Sequence, residues 1–79
     1  MIVRHSARKH GISDEDAVHA ATWPAITFAL DDENPQRMLH LGFDTKGRLL
    51  ELVVLTWDDG TRELIHAMLA RPQYMRLLP

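Results

Sequence analysis

Hydrophobic positions change their period near Trp23. Before it they are sparse and fit a helical repeat. From Ala25 onward they alternate with polar positions, as half-buried strands require. Residues 2–10 are predicted as a first helix. Gly11 stops it, since glycine takes the left-handed conformation of a C-terminal cap without steric cost. Arg8, Lys9 and His10 fall in its last turn, where cations complement the helix dipole. A second helix starts at Ser13, whose hydroxyl caps the unpaired N–H groups, with Asp14, Glu15 and Asp16 in the favoured first turn. Ala17, Val18, Ala20 and Ala21 form its apolar face, and Trp23-Pro24 ends it, because a residue before proline leaves the α region.

Four extended segments follow. Ala25–Leu30 places Ile26, Phe28 and Leu30 on one side, and Asp31 to Pro35 form a polar turn. Arg37–Phe43 places Leu39, Leu41 and Phe43 on one side and Met38, His40 and Gly42 on the other. Asp44-Thr45-Lys46-Gly47 and Asp58-Asp59-Gly60 are hairpin turns on either side of Leu49–Trp57, whose near-continuous apolar run predicts a strand buried on both faces. Arg62–Met68 is the fourth strand. Short turns join antiparallel neighbours, so the last three strands form a meander and the first pairs beside the second. Arg71 to Leu78 reads as a final helix, with Pro72 in its first turn. The predicted fold class is α+β: two N-terminal helices, a four-stranded antiparallel β-meander and a C-terminal helix, in one domain spanning residues 1–79.

Composition narrows the classes. A chain of 79 residues buries a small core, so a partner chain or a homodimer contact would help it. The absence of cysteine excludes a disulfide scaffold and a thiolate zinc site and suits a reducing, cytoplasmic setting. No signal peptide or membrane span is expected: charge arrives at Arg4, and the longest apolar stretch, Leu52 to Leu55, is far too short to cross a bilayer. The net charge of −2 lacks the basic excess usual in phosphate-gripping proteins, but Arg4, Arg8 and Lys9 cluster at the front and Arg71 and Arg76 at the back, which allows a local basic patch.

Of five histidines, no pair has the spacing of a metal site, and neither metal nor cofactor is expected. His66, in the apolar strand just before the last helix, can donate or accept a proton near neutral pH; equally, it can be a histidine hydrogen-bonded beside the core. Arg71 and Tyr74 lie one helical turn apart just after it, suited to a phosphate fork and a phenolic or stacking contact, or else to a solvated helix start with tyrosine packed on the sheet. Arg4 and Arg8 share a helix face and suit phosphate binding; the plainer reading is a solvated face.

Taken in order, these elements resemble the BrnT-like toxins of the RelE superfamily. The segments that carry the resemblance are Lys9-His10-Gly11-Ile12-Ser13 running into an acidic helix start, Leu41-Gly42-Phe43-Asp44 to Gly47-Arg48-Leu49-Leu50, Ile65-His66-Ala67, and then Arg71 and Tyr74. The final helix carries only two cations, and His66 stands where the family commonly has serine. The resemblance implies a RelE-like fold and the toxin of a type II toxin–antitoxin pair. It implies a metal-independent ribonuclease that inhibits translation by cutting RNA, is neutralised by a cognate antitoxin, and meets operator DNA only through that antitoxin. Carried over by position, His66, Arg71, Lys9 and His10 are the catalytic candidates and Tyr74 an added substrate-binding one; Arg4 and Arg8, from their shared helix face, are the other substrate-binding candidates. The alternative is a non-catalytic, toxin-like module that regulates through a partner protein, with Met68, Met75, Leu77 and Leu78 as its docking surface.

Overall fold

In the computed structural model, which describes residues 1–78, the strongest apolar run of the sequence, Leu49–Thr56 (β4), is the middle strand of a five-stranded sheet. Gln36–Phe43 (β3) pairs antiparallel on one side of it, and Ile26–Ala29 (β2) flanks β3, also antiparallel. Arg62–Leu69 (β5) pairs antiparallel on the other side. Ile2–Val3 (β1) closes that edge, parallel to β5, which makes the sheet mixed. The β3–β4 and β4–β5 turns hold Gly47 and Gly60 at φ of 78° and 91°, a region that side chains strain to reach.

This architecture corrects the expected one. The predicted helix over residues 2–10 is absent; its place is taken by β1 and a single 3₁₀ turn, His5–Arg8. Ile2 and Val3 are β-branched, no side chain caps the turn at Arg4, and the edge of β5 offers backbone partners that a helix would leave unused: Arg4 N donates to the Leu64 carbonyl at 2.9 Å. The predicted final helix shrinks to the one turn Pro72–Met75 (α2), which lacks a side-chain cap and an acidic first turn and is far below the length at which a helix sustains itself. The fold is therefore a mixed five-stranded sheet with one substantial helix, not two helices, a four-stranded meander and a third helix. No helix among the described residues is long and apolar enough to cross a membrane.

The substantial helix is Asp14–Thr22 (α1). Ser13 Oγ accepts the Asp16 N–H at 3.2 Å and so caps it. Ala17, Ala20 and Ala21 are buried against Leu50, Leu52, Val54, Leu64 and Ala67 to form the core. The small side chains let the helix backbone come down onto the sheet at Gly42, where a Cβ would run into the Ala20 carbonyl oxygen. Asp16 then fastens the start of α1 to the β3–β4 turn: it accepts from Lys46 Nζ at 2.7 Å and from the hydroxyl and, at 3.3 Å, the backbone N–H of Thr45. The Lys46 and Thr45 bonds hold its carboxyl far below the usual carboxylate range, against the opposing effect of burial. Arg48 is likewise occupied, its Nε donating to Asp44 at 2.6 Å. These two cations serve the fold.

His40 lies on the helix side of β3. A carbonyl can only accept, so Nδ1 carries the hydrogen in its 2.9 Å bond to Ala21 O. Burial lowers the His40 pKa from its ordinary 6.5; the Ala21 bond opposes this and nearby Arg62 adds to it. The stability gained by keeping His40 neutral is complete above about pH 6.5 and is lost as the pH falls through the lower folded-state value. Asp16, Asp31, Asp44 and Glu51 are lowered from 3.8 or 4.5, so their contribution disappears only further down. Thermal unfolding followed from pH 7.5 to 3 should therefore show a shallow decline beginning near pH 6.5 and a steeper one below about pH 4. A His40→Gln variant should lose the first and keep the second.

Candidate functional site

The sheet face opposite α1 carries the chemistry. By register, Leu39, Val53 and His66 lie in one row across β3, β4 and β5, and Leu41, Glu51 and Met68 in the next. His66 reaches this face because β5 is irregular. Val53 pairs with His66 but Val54 pairs with Leu64, so Ile65 is an extra residue in β5. Strict alternation from buried Leu64 would turn His66 toward the helix; the bulge reverses it and puts buried Ala67 into the core instead.

Glu51 is the centre of the site. It sits in the middle of the central strand, 1% exposed, an ionisable residue in a run of leucine and valine. Arg71, at the junction of β5 and α2, grips it with three bonds: backbone N and Nε to Oε1 at 3.0 and 2.9 Å, and Nη2 to Oε2 at 2.8 Å. His66 Nε2 lies 3.4 Å from Oε2. Burial alone would raise the Glu51 carboxyl; the Arg71 bonds and charge, with help from His66, outweigh it and hold the group below its ordinary value. The same pairing raises the Arg71 guanidinium above its ordinary value. A carboxylate held this way is a poor proton acceptor. Its role is to fix a guanidinium fork and an imidazole beside one another.

Two more candidates join this cluster. The His10 ring meets the His66 ring edge-on, with centroids 5.6 Å apart, and the Arg71 guanidinium lies 5.4 Å from the centre of the Tyr74 ring. His66, Arg71 and Tyr74 border an open cavity of about 290 Å³, with Leu30, Leu39, Val53 and Ile65 as its apolar lining and Arg37 and Glu51 completing its polar one; His10 touches His66 but is not part of this lining. The arrangement supplies an imidazole for proton transfer with a second one against it, a fixed cation for a developing negative charge, and an apolar surface beside them.

The remaining candidates lie elsewhere. Lys9 lines a separate depression with His5, Ser6 and Arg8 and does not border the Glu51 cavity. Arg8 is held by Asp14 in two bonds of 3.0 and 2.9 Å, and Arg4 pairs with Glu63 at 3.5 Å. The three N-terminal cations therefore do not converge on His66 and Arg71. The expectation that they sit together on one helix depended on the helix over residues 2–10, and that helix does not form. A larger depression, about 460 Å³, lies between Met1, Ile2, Val18, Thr22 and the β4–β5 turn, but it brings no histidine or carboxylate to its wall. Among the described residues no three His, Asp or Glu side chains gather so as to hold a metal ion.

Glu51 escaped the reading of the sequence although a signal was present. A lone carboxylate inside a strand predicted to be buried on both faces needs a buried cation or hydrogen-bond donors to offset its desolvation. Arg71, twenty residues on, is that cation. Searches of the chain against protein-family models, curated proteins and solved structures find no match to any of the three.

Proposed function

We propose that the protein is a ribonuclease of the BrnT-like toxin kind, acting in the cytoplasm on RNA and restrained by a cognate antitoxin through which alone it meets operator DNA. The observation that supports this is the buried Glu51 carboxylate, which holds Arg71 and His66 at an open cavity, with the His10 ring edge-on to that of His66. In the reaction the ribose 2′-oxygen attacks the adjacent phosphorus and the bond to the 5′-oxygen breaks, leaving a 2′,3′-cyclic phosphate and a 5′-hydroxyl. One of the two imidazoles takes the 2′-hydroxyl proton and the other gives a proton to the departing 5′-oxygen. Arg71 uses Nε and Nη2 on Glu51 and turns Nη1 toward the charge that builds on the phosphoryl oxygens. Tyr74 supports the guanidinium and offers a stacking face.

Purified protein is expected to cut single-stranded RNA to cyclic-phosphate ends, and its expression in a bacterial host to arrest growth. His66→Ala should reduce the cleavage rate by about 10²–10⁴-fold, the usual worth of a general acid or base, and relieve the arrest. Absence of both cleavage and arrest in the wild type would overturn the proposal.

A second reading has its own support. Phe28, Leu30, Met75 and Leu77 are 36%, 45%, 55% and 42% exposed, more large apolar surface than a chain of this size needs to show. A non-catalytic module that docks a regulatory partner would bind that partner equally well after His66→Ala and would cut no RNA.

A further inference from the structure

We propose that Arg37 is a second phosphate-binding residue, so that the cavity takes a single-stranded RNA segment held at two positions along its backbone with a base over the apolar floor between them. This rests on the ribonuclease reading of the same cavity. Arg37 borders the cavity that holds Arg71 and His66. Its register partner on β4 is Leu55, four residues from Glu51 and on the same face of the strand. At 3.3 Å per residue the two anchoring positions are roughly 13 Å apart along the strands, a span suited to one or two steps of an extended RNA strand. Leu39 and Val53 pair between them and form the floor.

The two arginines are built alike. Asp31 accepts from Arg37 Nε at 2.8 Å and from its backbone N–H at 3.2 Å, as Glu51 accepts from Nε and N of Arg71. In each case the carboxylate fixes the planar fork and its entropy cost is met before any ligand arrives. Among the described residues no protein acceptor takes the Nη hydrogens of Arg37, and its side chain is 56% exposed. Several other cations are committed, Lys46 and Arg48 to buried carboxylates and Arg8 to Asp14, and Lys9, Arg62 and Arg76 do not border this cavity. A chain with a net charge of −2 grips a polyanion only where fixed guanidinium groups present unused donors, and Arg37 and Arg71 do so in one cavity. Because the base between two such contacts must lie on the apolar floor, paired RNA is excluded and an unpaired strand is the substrate.

The test compares a tetranucleotide with a dinucleotide that carries only the scissile phosphate. Wild type, Arg37→Gln and the double variant Arg37→Gln/Asp31→Asn are assayed on both; the double variant keeps the local net charge and removes only the fork. Both variants should raise KM for the tetranucleotide about 5- to 10-fold with kcat unchanged, leave the dinucleotide unaffected, and flatten the logarithmic salt dependence of binding by about 0.7. Wild-type kinetics on the tetranucleotide in both variants would overturn the assignment, as would an equal loss on the two substrates. If the wild type cuts neither substrate, the ribonuclease reading fails and the Arg37 assignment falls with it; cleavage that ignores Arg37 sinks the assignment alone.

Discussion

A Glu51→Met variant is expected to lose RNA cleavage by about 10³-fold while keeping its stability to within about 1 kcal/mol of wild type. The two halves of this result have separate causes. Methionine matches glutamate in length and suits the leucine and valine environment of β4, so removing the carboxylate also removes the cost of burying it. The released Arg71 is half exposed and turns to solvent, so no unpaired charge is left inside. Activity suffers because Glu51 joins Arg71 to His66, and the Arg71 side chain, at the head of a one-turn helix, is held to the sheet by its bonds to that carboxylate. Misplacement of a cation by an ångström is enough to remove most of its effect on a transition state.

Arg71→Ala is the matched control, and it behaves differently. It too removes the cation from the cavity, but it leaves the carboxylate buried with only the 3.4 Å His66 contact. In the wild type the Glu51 pKa is lowered, so its share of stability is present above about 4.5 and lost as the pH falls. Without Arg71 only the 3.4 Å His66 contact opposes burial, burial prevails, and the carboxyl's share of stability is lost as the pH rises. The two variants should therefore be similarly inactive, with Arg71→Ala the less stable at neutral pH and its deficit shrinking toward acid. Thermal unfolding at pH 4.5 and 7.5 beside a cleavage assay checks both. A Glu51→Met protein that unfolds well below wild type yet still cuts RNA would assign Glu51 to the fold alone.

What the sequence disclosed follows from how local each feature is. The cap at Ser13, the stop at Trp23-Pro24 and the turns at Gly47 and Gly60 are each written in a few adjacent residues, and each occurs where those residues lie. Strand β1 is not local: two residues become a strand only because β5 presents an open edge to them, so the pattern around His5 to Lys9 was free to suggest a helix. The bulge at Ile65 is equally invisible, because it shows only in the pairing with β4, yet it decides which face His66 occupies. His66, Arg71, Tyr74 and His10 could be singled out by residue type and order. Glu51, the partner of His66 and Arg71, appears only when segments fifteen and twenty residues apart are brought together; the clamp of Asp31 on Arg37 spans only six residues, but it needs the fold of the turn between β2 and β3.

Gly42→Ala is expected to cost more stability than any conservative change in the leucine and valine core. The usual cost of an added methylene in a packed interior is about 1–3 kcal/mol, and this position lies at the upper end or beyond it. The new Cβ would meet the Ala20 carbonyl oxygen and its carbonyl carbon, which are backbone and cannot rotate aside as a side chain does. Relief requires α1 to lift from β3. Lifting it strips Ala17, Ala20 and Ala21 from Leu50 and Leu52, strains the His40 bond to Ala21 O, and pulls Asp16 from Lys46 and Thr45 at the other end of the same helix. The chain has one substantial helix and one core cluster, and besides α1 only Ala7 and Ile12 join the sheet residues in that cluster among the described residues. The glycine is not needed for its backbone angles, since among the described residues the positive φ values belong to Gly11, Gly47 and Gly60. Steric approach is thus its whole role, and the companion change Gly47→Ala, at φ 78° with open space around it, should cost only about 1 kcal/mol. Chemical unfolding of the two variants beside wild type separates the cases, and equal losses at the two positions would show that α1 does not seat on Gly42.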